Sequence, residues 1–281
     1  KSVFRTIFTD HKMITKLIEN DYINGVSLTG SLGAGSKIGG LAGKNIKKFV
    51  LELGGSDPFI VLEDSDINLA SKNAIQGRMM NTGQSCIAAK RFIVIENIAE
   101  QFIGKLVELN KKLIIGNPLD ENTDIGPLAN EQQLREIELQ VQDAVEKGGN
   151  ILDGGKRVGE KGFFFQPTLI SNVNSKMMLL KDEVFGPVAP IIIVKDNIEA
   201  VKMANSTNLG LGASVWSKDE NKAMEIARKL DAGSIFINGI VKSDPRMPFG
   251  GIKKSGIGRE LSHYGLKEFV NVKAINVYSQ T

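Results

Sequence analysis

The sequence predicts an α/β fold built on a parallel sheet, on three observations. Apolar residues alternate between strand-like runs and helix-like spacing through most of the chain, the pattern of helices layered on a sheet rather than of a bundle or a sandwich. Helix-starting residue types stand at the head of periodic stretches, and glycine clusters stand at junctions. The 281 residues, 42% apolar and 24% charged, suffice for a buried core and for one large domain or two ordinary ones.

Residues 26–28 and 49–53 read as short strands. From Asp66, a helix-capping type, Ile67, Ala70, Ala74 and Ile75 recur at helical spacing until Gly83 interrupts them. Residues 92–95 are strand-like. Asn130 then caps a helix with the apolar stripe Leu134, Ile137, Val141, Ala144 and Val145, and Gly148 and Gly149 stop it. Strands at 191–194, 213–216 and 234–238 follow, with helices over 198–205 and 219–230 between them. Parallel pairing is the economical arrangement of such an order. The glycine-rich junctions at 30–43 and 249–258 let backbone approach a ligand or turn through φ > 0.

Thirty-five Lys and Arg stand against 32 Asp and Glu, a net charge of +3 with no block of like charges, which argues against nucleic acid as a partner. The basic clusters Lys44, Lys47, Lys48 and Lys253, Lys254 read as solvated surface. No run approaches the roughly 18–20 apolar residues of a membrane span, and the densest, residues 190–194, suits one buried strand. The single cysteine, Cys86, excludes an internal disulfide and any cysteine-rich zinc or iron–sulfur site, and predicts a reducing, cytoplasmic setting. Two histidines far apart, His11 and His263, leave little for a Ser–His–Asp hydrolase or a multi-histidine metal centre; no metal is expected. Residue 1 is not methionine and no leader-like segment follows it, so the chain reads as part of a longer polypeptide.

Four stretches carry candidate chemistry. Thr29, Gly30, Ser31, Leu32, Gly33, Ala34 and Gly35 join a strand to a helix and can present amides to a phosphate. Ser36 stands where a P-loop lysine belongs and Ile38 where the last glycine of a dinucleotide fingerprint belongs, so a plain glycine turn stays open. Glu52 interrupts the apolar strand Val50, Leu51, Leu53 just before Gly54 and Gly55. Burial there would raise its pKa towards a general base's range, while a salt-bridged or outward glutamate remains the alternative. Cys86 follows Thr82, Gly83, Gln84 and Ser85. A lone cysteine is often only a small buried hydrophobe, but a loop of free amides would both acidify a thiol and hold an oxyanion beside it. In Asp182, Glu183, Val184, Phe185, Gly186, Pro187 a carboxylate and an aromatic two residues apart could bond a ribose and flank a ring, or Glu183 could cap an amide.

Taken together, Leu51-Glu52-Leu53-Gly54-Gly55, Gly83-Gln84-Ser85-Cys86, Glu183-Val184-Phe185-Gly186-Pro187 and Pro248-Phe249-Gly250-Gly251-Ile252-Lys253-Lys254-Ser255-Gly256 resemble the aldehyde dehydrogenase superfamily in content and order. The 34-residue interval from Glu52 to Cys86 matches as well. The resemblance covers nearly the whole chain, as the C-terminal three-fifths of a family member. It implies a Rossmann-like catalytic domain at residues 52–255, the remnant of an NAD(P)-binding domain at 1–51, a return helix at 256–270 and an oligomerisation strand at 271–281.

The resemblance also implies roles. Cys86 is the nucleophile that adds to an aldehyde, and Glu52 the base that activates water against the resulting thioester. Gly30 and Ser31 lie by the cofactor phosphates, Leu53 and Gly54 by the nicotinamide, Glu183 on its ribose, and Phe185 packs nearby. The cofactor is NAD or NADP, the partner a small-molecule aldehyde, and the assembly a homo-oligomer. The family's oxyanion-hole asparagine and adenosine-ribose lysine precede residue 1. The 281 residues alone are therefore expected to be weakly active or inactive, since one oxyanion donor is worth ~100- to 1,000-fold in rate. Cys86-Ile87-Ala88-Ala89-Lys90-Arg91 and Ser243-Asp244-Pro245-Arg246 resemble the succinate-semialdehyde members, with Ser243 and Arg246 on the substrate carboxylate. Met80, where several of those carry arginine, keeps another aldehyde open. A non-catalytic assembly scaffold and a cysteine hydrolase using Cys86 and Glu52 are the competing classes.

Overall fold

A computed structural model describes residues 3–279. The chain divides into two compact units, one gathering the residues up to Leu53 with 243–250 and those from Gly256 on, the other Gly54–Lys242 with Gly251–Ser255. Glu52, Leu53 and 243–250 thus fall in the first unit and not with the 52–255 block read from the resemblance. The reason for the first two is local. Glu52 ends a strand, Lys48–Glu52, that pairs along its whole length with Gly25–Thr29, so the chain leaves that sheet only after it.

In the first unit the two strands run parallel, from Gly25 opposite Lys48 to Thr29 opposite Glu52. The helix Leu32–Lys44 connects them, with Ser31 as its N-cap. Gly256–Ile257 adds an antiparallel pair on Lys48–Glu52, and a Cβ on Gly256 would overlap the Leu51 carbonyl. The return segment carries the short helix Ser262–Glu268. Residues 271–279, where the resemblance implies an oligomerisation strand, pair with no strand of this chain, and Val272 is 97% exposed. Residues 280 and 281 of that expectation lie outside the described residues. A strand needs a neighbour for its N–H and C=O groups, and this chain offers none there.

The second unit is a seven-stranded sheet in the order Ser234–Ile237, Gly212–Trp216, Asp57–Val61, Ala89–Ile95, Val188–Val194, Thr168–Ser171, Asn150–Asp153. Every pairing is parallel except the last, where Asn150–Asp153 runs antiparallel. The strand period of two separates two cores. Phe59, Val61, Phe92 and Val94 face the helices Ile67–Met79 and Glu96–Asn110 on one side. Ile60, Leu62, Ile93 and Ile95 face Asn197–Asn205 and Glu220–Ala227 on the other. The helix expected over 219–230 stops at Ala227. A third cluster packs Leu134, Ile137 and Val141 of the helix Glu131–Glu146 against Val184 and Val188, which seats the 182–187 turn. The capping expectations hold at the atomic level: Asp66 accepts from Leu69 N at 3.0 Å and Asn130 from Gln133 N at 2.9 Å. Among the described residues no helix is long and apolar enough to cross a membrane.

Candidate active site

The cysteine loop begins where the helix Ile67–Met79 ends. Asn81, Thr82 and Gly83 take φ of 53°, 57° and 72° in succession, a left-handed reversal that costs roughly 1–2 kcal/mol for each non-glycine residue. Side chains offset that cost by bonding the loop on several sides. Thr82 Oγ1 accepts from Gly126 N at 3.1 Å and donates to Gly126 O at 3.2 Å. Gln84 Oε1 accepts from Ala129 N at 2.8 Å. The buried Arg78 donates from Nη2 to Gly83 O at 2.6 Å and Val184 O at 3.3 Å. At Gly83 a Cβ would overlap the Gly186 carbonyl, so only glycine brings the cysteine loop this close to the 182–187 turn. Cys86, half-buried, sits at the end of this braced segment.

Beneath it lies Lys90, buried at the start of the strand Ala89–Ile95. Its Nζ donates to Ser85 O at 3.0 Å and Cys86 O at 2.6 Å, and it pairs with Glu183 Oε1 at 2.9 Å. Gly55 N donates to the same Oε1 at 3.1 Å. Gly54 is fixed from its carbonyl side by the buried Ser255, whose Oγ donates to Gly54 O at 2.7 Å and accepts from Gly210 N at 2.8 Å. A Cβ on Gly54 would overlap Glu183 Oε2, and one on Gly55 would lie 2.6 Å from Cys86 O. The second unit therefore brings together Gly54, Cys86 and Glu183, with Phe185 half-buried two residues beyond.

Electrostatics in this unit are governed by burial. Asp57, at the head of the strand Asp57–Val61, is pushed up to about 6, chiefly by desolvation, although Lys90 and a bond from Gly212 N oppose the shift. Arg78 is pulled down to about 9 and Arg91 to about 10, again by burial; both remain cations at neutral pH. Arg91 spends its guanidinium on Ser56 O, Met203 O and Ala204 O, bracing the loop at 56.

The first unit assembles Gly30, Ser31, Glu52 and Leu53. Gly30 N donates to Glu52 O at 3.0 Å, and Ser31 Oγ accepts from Ala34 N at 3.2 Å as the helix cap. Leu53 packs on Gly35, where an added Cβ would press on the Leu53 methyl groups. The Glu52 side chain is buried, 3% exposed. Ser243 and Arg246 belong to the 243–250 segment of this unit and lie at its surface. Arg246, 87% exposed, is spent on its own loop: Nε meets Asp244 Oδ1 at 2.9 Å and Nη2 meets Oδ2 at 2.6 Å.

Sequence reasoning assigned no role to Arg78, Asp57, Lys90 or Ser255. The signal for Lys90 was the one used for Glu52, a charge entering an apolar strand, here Lys90 and Arg91 between Ala88, Ala89 and Phe92, Ile93.

The chain belongs to the aldehyde dehydrogenase family, whose pattern matches residues 1–275. It is 44% identical over 272 residues to succinate-semialdehyde dehydrogenase [NADP(+)] 1 of Mycobacterium tuberculosis (strain ATCC 25618 / H37Rv), covering 97% of this chain and 60% of that protein. It is 44% identical over 275 residues to succinate semialdehyde dehydrogenase [NAD(P)+] Sad of Escherichia coli (strain K12), covering 98% and 60%. Among solved structures, succinic semialdehyde dehydrogenase from Streptococcus pyogenes in complex with NADP+ superposes with a TM-score of 0.94 at 37% identity, over 97% of this chain and 60% of that one. The chain thus spans about 60% of the length of the curated relatives it matches.

Proposed function

We propose that this member of the aldehyde dehydrogenase family carries the thiol chemistry of an NAD(P)-dependent oxidation of succinate semialdehyde to its acid. The observation that carries the reading is Cys86 on a strained, braced loop with its carbonyl held by the same lysine that holds Glu183. A cysteine serving only as packing needs neither the left-handed reversal nor the buried cation.

Within each unit the residues present suit one part of a nicotinamide dinucleotide. Glu183 Oε1 is occupied by Lys90 and Gly55, while its side chain is 26% exposed, which leaves Oε2 to accept from a ribose hydroxyl. In the first unit Gly30 and Ser31 open a 13-residue helix whose first amides can meet a phosphate; for Leu53 and Gly54 as backbone beside the ring, the support is the family resemblance. When bound, NAD(P) supplies the hydride acceptor. Phe185 packs beside that group, and the family resemblance is the support for its role.

The Cys86 sulfur adds to the aldehyde carbon while the carbonyl oxygen takes up a proton, giving a thiohemiacetal. Loss of hydride from that carbon, together with release of the hydroxyl proton to solvent, leaves a thioester on the sulfur. Glu52 then removes a proton from water as the oxygen attacks the acyl carbon, and the carbon–sulfur bond breaks to return the thiolate and release the acid. Ser243 meets the substrate's far carboxylate, while Arg246, its guanidinium held by Asp244, adds charge nearby without a direct contact. The exposed Val270, Val272, Ile275 and Val277 support a closing segment that pairs with a second copy, in a reducing, cytoplasmic setting.

The test compares kcat/KM for succinate semialdehyde with that for an uncharged aldehyde of equal chain length, in the polypeptide that carries this chain, with and without Cys86→Ser. A preference of about 10-fold or more for the acid, lost with Ser243→Ala, is expected. Equal values reject the substrate, and nucleotide-dependent oxidation surviving Cys86→Ser rejects the mechanism.

A further inference from the structure

Three oxygens lie within 3.0 Å of Lys90 Nζ: Ser85 O, Cys86 O and Glu183 Oε1. A neutral amine has two N–H bonds and a lone pair, so one of the three would face that lone pair; the ammonium, with three N–H bonds, satisfies all of them. The geometry thus calls for a buried cation. Burial works against the charge, Glu183 and Asp57 support it, and Arg78 repels it. These groups surround Lys90 from the 182–187 turn, the strand Asp57–Val61 and the helix Ile67–Met79 respectively, with Arg91 following it in its own strand.

We propose that Lys90 is a positioning residue that couples Cys86 to the ribose-binding carboxylate: one ammonium orients the cysteine backbone, favours its thiolate, and pins Glu183. This rests on the assignment of Cys86 as nucleophile and Glu183 as the ribose acceptor. The pair sets the field at the thiol as a difference of two charges. Removing the cation leaves the carboxylate, which disfavours a thiolate; removing the carboxylate's charge leaves the cation, which favours one. Opposite signs are expected from two changes to one ion pair, and simple loosening of the loop cannot produce them.

Alkylation of Cys86 by iodoacetamide reads the thiolate directly, because it is the one cysteine of the sequence, and it requires no turnover. In the 281-residue chain, Lys90→Met is expected to raise the apparent thiol pKa and slow alkylation at neutral pH about tenfold, whereas Glu183→Gln lowers the pKa and speeds it. Profiles that stay at the wild-type position in both variants, or move in one direction in both, overturn the proposal. Where Lys90→Met does not fold, as judged by near-UV circular dichroism, Glu183→Gln decides alone: an unmoved or raised thiol pKa overturns it. The nucleophile assignment fails separately, through oxidation that survives Cys86→Ser.

Discussion

Lys90 and Glu183, 93 residues apart in sequence, meet at 2.9 Å with the lysine side chain 1% exposed and the glutamate 26% exposed. A pair so placed is costly to assemble, because desolvation of a buried charge offsets much of the attraction. Its retention is accounted for by what else the ammonium holds, the carbonyls of Ser85 and Cys86. The ion pair ties the cysteine loop to the 182–187 turn, and Gly83 and Gly55 permit the close approach.

Gly83→Ala is expected to destabilise the chain by about 2–4 kcal/mol. The left-handed φ of 72° penalises any side chain, and the new Cβ would overlap the Gly186 carbonyl. Urea unfolding checks it, and a loss below about 0.5 kcal/mol would show that the turn yields freely.

Ser255→Ala removes a hydroxyl that bridges two buried backbone groups, Gly54 O and Gly210 N. A loss of about 1–3 kcal/mol is expected from the unsatisfied groups. In the polypeptide that carries this chain the KM for nucleotide should rise as Gly54 loosens, with Ser255→Thr tested for rescue of both effects.

Asp57 makes stability depend on pH. Its folded-state pKa of about 6 lies above the usual 3.8, so between those values the folded chain binds a proton that the unfolded chain has released. Stability from this group is therefore greatest at the acid end and is lost as pH rises through about 6, by roughly 3 kcal/mol in all. Asp57→Asn should flatten that part of the profile between about pH 4 and 7. Denaturant titrations across the range measure it, and an unchanged slope counts against the buried proton.

Glu52→Gln separates the two halves of the proposed reaction. If Glu52 activates water, the variant should still form the thioester, giving a burst of one NAD(P)H per site followed by turnover slowed about 100-fold. Rapid-mixing absorbance resolves the two phases, and a burst that disappears with turnover would move Glu52 to the acylation step.

Much of the framework was legible in the chain itself. Asp66 and Asn130 start helices because a short side-chain oxygen can reach an amide three residues on, and such bonds depend only on near neighbours. The strands at 92–95, 191–194 and 213–216 were visible as apolar runs, since strands buried on both faces need no polar alternation. The strand Asp57–Val61 escaped notice because Asp57 and Pro58 head it, and neither residue belongs to the usual strand vocabulary. Glu52 stands out as a carboxylate inside an apolar strand, Cys86 by the loop that precedes it, and Glu183 by its spacing from Phe185 in a turn.

The pairing of those groups was decided only by the tertiary structure. No local pattern states that Lys90 reaches Glu183 or that Ser255 bridges Gly54 to Gly210. A capping bond or an apolar stripe is settled by residues a few positions apart. The energy of a buried charge depends on which distant groups the closed fold sets around it.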